Sequence, residues 1–107
     1  MGQNIVVFCT VPSKEVASGI ADALVPSGLA ACVNIVSGIE SVYTWKGEVC
    51  RDAESLLIIK SRRDLFETIR QTITGIHPYE VPEIIALSIA EGHGPYLTWI
   101  EETTRKE

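Results

Sequence analysis

Between residues 30 and 60 the chain carries two runs rich in Val, Ile, Tyr, Trp and Leu on either side of Lys46-Gly47. A glycine in a two-residue loop supplies the positive φ that a tight strand reversal needs, so the stretch reads as one hairpin. The turn sets the register. Trp45 falls opposite Glu48, Tyr43 opposite Cys50, Ser41 opposite Asp52 and Ile39 opposite Glu54, while Thr44–Val49, Val42–Arg51 and Glu40–Ala53 form the pairs of the other face. Ser37-Gly38 interrupts the first arm and predicts a bulge or sharp bend there. Each arm is far longer than the usual strand of about five or six residues. A single domain spanning residues 1–107 has too little chain to cover the tip of such a hairpin with its own helices, which points to an oligomer.

Before the hairpin, Ile5-Val6-Val7-Phe8-Cys9 is a continuous apolar run stopped by Thr10-Val11-Pro12, as expected of a strand covered on both faces. Ser13 then caps a helix whose apolar stripe is Val16, Ile20 and Leu24 and which Pro26-Ser27-Gly28 ends. Gly19 inside it costs about 1 kcal/mol against Ala, and reads either as close approach to a neighbouring backbone or as a tolerated defect. After the apolar run Leu56-Leu57-Ile58-Ile59, Ser61-Arg62-Arg63-Asp64 fits the start signal of a second helix striped by Leu65, Ile69, Ile73 and Ile76 and ending near Gly75. Pro78 and Pro82 keep residues 77–82 out of any helix. Residues 84–90 form the fourth strand, and Pro95 opens a short closing helix with Tyr96, Leu97 and Ile100 on its inner side. Residues 103–107 are expected to fray.

The order β-α-β-β-α-β with a terminal helix added is that of an α+β, ferredoxin-like fold: a four-stranded antiparallel sheet with two helices on one face. The other face lacks cover within the chain. Helices on one side only, doubly apolar central strands and the overlong hairpin together imply that other copies supply the second layer.

Charge narrows the partners. With a net charge of -5, a pI near 5.0 and no Lys/Arg cluster, the surface repels phosphate backbones and excludes nucleic acid. The start Met1-Gly2-Gln3-Asn4 lacks the basic flank and cleavage site of a signal peptide, and Val6 stands where a myristoylation signal needs Ser or Thr. No apolar run is long enough to span a bilayer. The expectation is a soluble, cytoplasmic protein with no membrane partner. Cys9, Cys32 and Cys50 lie in three separate strand patterns, which suits reduced, buried thiols better than a disulfide framework.

The segments A-C-V-N-I-V at residues 31–36, S-V-Y-T-W-K-G-E-V at residues 41–49, the Ile59-Lys60 strand end and H-P-Y-E-V-P-E-I at residues 77–84 resemble the CutA divalent-cation-tolerance proteins. The resemblance runs over essentially the whole chain. It implies a ferredoxin-like homotrimer, related in architecture to the PII signalling proteins, with the long hairpins exchanged around the three-fold axis. Composition and periodicity show none of that symmetry. It also implies an association with copper, for which Cys32 in A-C-V-N is the best-matching residue.

The strongest polar constellation is Lys60, His77, Tyr79 and Glu80, with Asn34, Tyr43 and Trp45 brought near by the expected fold. Two readings stand. In one, Lys60, Tyr79, Glu80, Asn34 and Tyr43 line an inter-subunit cleft for a small anionic or metal-bearing ligand. In the other, Pro78 and Pro82 stiffen an interface loop, Tyr79 packs across it, and Lys60–Glu80 is a registry-setting ion pair. No cofactor is required. The metal donors Cys9, Cys32, Cys50, His77 and His93 show neither C-x-x-C nor H-x-x-x-H spacing, and soft thiolate and imidazole favour copper or zinc over magnesium or calcium. The resemblance singles out Cys32 among the thiols, and His77, ahead of Pro78, is the better histidine; these two are the candidates for copper or another divalent ion. His93, between two glycines, reads as an exposed loop residue. Trp45 beside the turn, with Tyr43, marks the oligomer interface, and Trp99 either joins that surface or caps the core. No phosphate loop, G-x-S-x-G or nucleophile–base spacing is present, so the chain reads as a non-enzymatic scaffold. A different class of function also fits: a PII-like signalling module that binds a small metabolite at the H-P-Y-E loop and passes its state to a protein partner.

Overall fold

The computed structural model describes residues 3–106, so the reading of the Met1-Gly2 start lies outside the described residues. Strand β1 (Asn4–Val11) leads to helix α1 (Lys14–Leu24), and the hairpin is β2 (Cys32–Trp45) with β3 (Glu48–Arg62). A 3-10 turn at Arg63–Leu65 then feeds α2 (Phe66–Ile76), followed by β4 (Ile85–Ser88) and α3 (Gly94–Thr103). The sheet has the order β2-β3-β1-β4 with every pairing antiparallel, which is the expected α+β ferredoxin-like arrangement.

The hairpin turn places Lys46 at φ 51° and Gly47 at φ 81°. Both central residues are left-handed, the sense whose twist matches that of the flanking strands. The register therefore runs as read, from Trp45–Glu48 down to Ile39–Glu54. Between Ile39 and Val36 the first arm carries one extra residue, with Gly38 at φ 80°, and the pairing resumes at Val36–Leu56. Because side chains alternate with a period of two, that residue swaps the faces of β2. Val33 and Ile35 pair with the core residues Ile59 and Leu57, whereas Ile39, Tyr43 and Trp45 fall on the face of Glu54 and Lys60.

Helices α1 and α2 cover one face. Val7, Cys9, Val11, Leu57 and Ile59 meet Ile20, Leu24, Leu65, Ile69 and Ile73 there, all fully buried. On the other face Val6, Phe8, Leu56 and Ile58 are only half-buried, and Ile85 and Leu87 are 50% and 51% exposed. Helix α3 closes one end of this open face, with Ile100 buried and Asn4 Nδ2 donating to Leu97 O at 3.3 Å.

Four local expectations are corrected. Ser61 caps no helix: β3 continues to Arg62 opposite Asn4, so Ser61 is a buried strand residue whose hydroxyl donates to Leu29 O at 2.6 Å. Strand β4 spans four residues rather than seven, because it pairs only with Ile5 to Phe8 and ends where β1 begins, at the hydrogen bond from Ile89 N to Asn4 O. The C-terminal residues do not fray through Arg105. Arg62 donates to Thr104 Oγ1 at 2.8 Å and to Arg105 O, and Arg105 N donates to Gly28 O at 2.8 Å. Tyr96 is not an inner residue of α3, but stacks at 5.4 Å on Trp99 at the surface. At Gly19 a Cβ would meet nothing within 4 Å, which decides for the tolerated defect. Ser13 does cap α1, accepting from Val16 N at 3.2 Å.

Candidate functional site

Pro78 forbids helical backbone at the residue before it, so α2 stops and His77 turns extended, its N–H still bonded to Ile73 O at 2.8 Å. The His77 ring then ties this end to β1. Its Nδ1 accepts from Tyr79 N at 3.1 Å, which leaves Nε2 as the protonated nitrogen, donating to Thr10 O at 2.8 Å. The ring also packs at 4.8 Å against Tyr79 and so aims that side chain across the sheet. Tyr79 Oη donates to Glu54 Oε2 at 2.5 Å.

Around this pair lies a cleft of about 690 Å³ between the hairpin and the loop after α2. Tyr43 and Trp45 wall its hairpin side, and Tyr79, Glu80, Val81 and Glu83 its loop side. Tyr43 Oη donates to Asp52, and Thr10 Oγ1 to Glu83 Oε1 at 3.4 Å. Among the described residues no Lys or Arg lines the cleft. The local field is accordingly negative. The hydrogen bond to Asp52 pushes the Tyr43 hydroxyl up to about 12. Burial, then the hydrogen bond to Glu54, pushes Tyr79 up. Burial, with the charges of Glu83 and Glu54 added, pushes the Cys9 thiol up to about 12.

Lys60 and Asn34 sit elsewhere on the same face. Lys60 lies opposite Val6 and Cys32, whereas Thr10 at the cleft lies opposite Leu56, four residues and about 13 Å earlier along β3. Lys60 Nζ donates to Asn34 Oδ1, and Cys32 Sγ lies 3.8 Å from the same oxygen. Tyr96 adjoins this group, its hydroxyl pushed up by burial and then by Cys32. Within one subunit the constellation is thus divided, with Tyr43, Tyr79 and exposed Glu80 at the cleft and Lys60, Asn34 and Cys32 at the base of the hairpin. Ion pairs join Arg51 to Glu40, Arg62 to Asp64 and Arg70 to Glu67, whereas Lys60 and Glu80, both described, do not pair with each other. Trp45 and Trp99 are 40% and 42% exposed, with Trp45 ending β2 beside the turn and Trp99 on α3, away from it. His93 is exposed ahead of α3.

Sequence reasoning missed Glu54, which it treated only as the partner of Ile39. The signal was present: a carboxylate on the strand face that continues as Leu56 and Ile58 must find a donor or a cation.

Residues 5–103 match the family profile described as CutA1 divalent ion tolerance protein. The chain belongs to this family. The divalent-cation tolerance protein CutA of Thermus thermophilus is 54% identical over 99 residues, covering 92% of this chain and 96% of its own length. The chloroplastic protein CutA of Arabidopsis thaliana is 50% identical over 102 residues, 95% of this chain but 56% of its own, so the chain spans about half of that relative. The crystal structure of CutA1 from Oryza sativa superposes with a TM-score of 0.94 at 47% identity, over 100% of both chains.

Against the metal that CutA resemblance implies, the donors do not fit within one subunit. Both His77 nitrogens are engaged, Cys32 lies at the far end of the face, and no group of three His, Cys, Asp or Glu side chains converges among the described residues. Nor is any helix among them long and apolar enough to cross a membrane.

Proposed function

We propose that this CutA-family chain acts as a non-enzymatic homotrimer in divalent-cation tolerance, with its cleft at the subunit boundary holding a small ligand or a metal ion. The observation that carries this reading is the open sheet face, where Val6, Phe8, Leu56, Ile58, Ile85 and Leu87 form an apolar surface that helices cover only at one end. A face of that kind is stabilised by burial against other copies, at roughly 25 cal/mol per Å² removed from water. The unpaired edges β2 and β4 lie at opposite sides of the sheet, as a closed ring of head-to-tail contacts requires. Cys9, Cys32 and Cys50 are free thiols, which supports a reducing compartment such as the cytoplasm.

Light scattering at micromolar concentration tests the assembly: three times the chain mass is expected, and a monomer would sink the reading. Leu87→Glu, at an exposed position of β4, should yield a folded monomer. Titration of the assembled protein with copper sulfate under native mass spectrometry tests the metal. Uptake lost in Cys32→Ala supports copper association; unchanged uptake leaves Cys32 as packing.

One observation favours a second reading. The cleft joins the loop after α2 to the hairpin, whose tip carries Val49 at 75% exposed, so an occupant would bear directly on a surface available to a protein partner. In that reading the protein is a PII-like module for a small metabolite. Ligand-induced thermal stabilisation lost in Tyr79→Ala, with the trimer intact, is the expected result.

A further inference from the structure

We draw no further inference here: the strongest candidate, the side-chain cluster of Cys32, Asn34, Lys60 and Tyr96 at the base of the hairpin, rests on a lone cysteine, Lys60 and Asn34 beside it being bonded to each other, and it lies on the open sheet face, where nothing in the structure shows what covers it.

Discussion

Tyr79 and Glu54 are 25 positions apart in the chain, and their 2.5 Å hydrogen bond ties the loop after α2 to the middle of β3. Tyr79→Phe removes the one side-chain donor that Glu54 has among the described residues while keeping the ring. It should lower stability by about 1–3 kcal/mol, read as a shift of the urea midpoint. A double-mutant cycle with Glu54→Gln should recover part of that loss; strict additivity would mean the two side chains are not coupled.

Lys46 holds a left-handed conformation at φ 51° without the glycine or asparagine that such a turn position prefers. Lys46→Asn should stabilise the protein by roughly 0.5–1 kcal/mol. A lower melting temperature in the variant would show that the Lys46 ammonium over the Trp45 ring, 5.7 Å from its centroid, outweighs the backbone strain.

At Gly19 the space around the missing Cβ is open, and the residue sits inside α1. Gly19→Ala is therefore expected to stabilise by about 0.5–1 kcal/mol through helix propensity and a less mobile unfolded chain. Destabilisation in thermal melts would mean that another copy approaches this helix.

Arg62 makes two 2.8 Å bonds to Asp64, one of the same length to Thr104 Oγ1, and a further bond to Arg105 O. Lysine lacks the planar fork that reaches these acceptors together. Arg62→Lys should cost about 1–3 kcal/mol and speed amide exchange at Arg105, whose N–H is held by Gly28 O. Unchanged exchange there would release the C-terminal residues from the clamp.

Burial pushes the Cys9 thiol up from 9.0 to about 12, and Tyr79 shifts in the same direction from 10.0. Above pH 9 the unfolded chain has lost the thiol proton that the native chain still holds, so stability falls as pH rises, until about 12. The contribution is complete below the unfolded value. Urea midpoints taken at about pH 8 and about pH 11 should show this loss, and Cys9→Val should flatten it. In native protein a thiol reagent should modify half-buried Cys32 and Cys50 and leave Cys9 untouched.

Much of the fold was legible because its signals are local. Lys46-Gly47 set a reversal, and the pairs from Trp45–Glu48 to Ile39–Glu54 follow by counting outward. Gly38 marked the bulge that carries Tyr43 and Trp45 to the open face. Ser61 misled because an S-x-x-D pattern is a local signal that does not by itself exclude a strand end. What settled it was pairing with β1, which extends β3 through Arg62.

The candidate site was legible in its parts and not in its grouping. Tyr43, Tyr79 and Glu80 line one cleft, whereas Lys60 and Asn34 are bonded to each other at the other end of the face. By itself the sequence determined the turn, the register, the helix stripes and the bare sheet face, since each depends on residues a few positions apart. Only the tertiary structure decided which polar groups meet: Tyr79 with Glu54, Lys60 with Asn34, Arg62 with Thr104 across 42 positions. The first and last depend on how the segments after α2 and α3 pack against the sheet, and the Lys60–Asn34 contact on how the hairpin pairing resumes beyond the bulge; shape complementarity of that kind leaves no periodic trace along the chain.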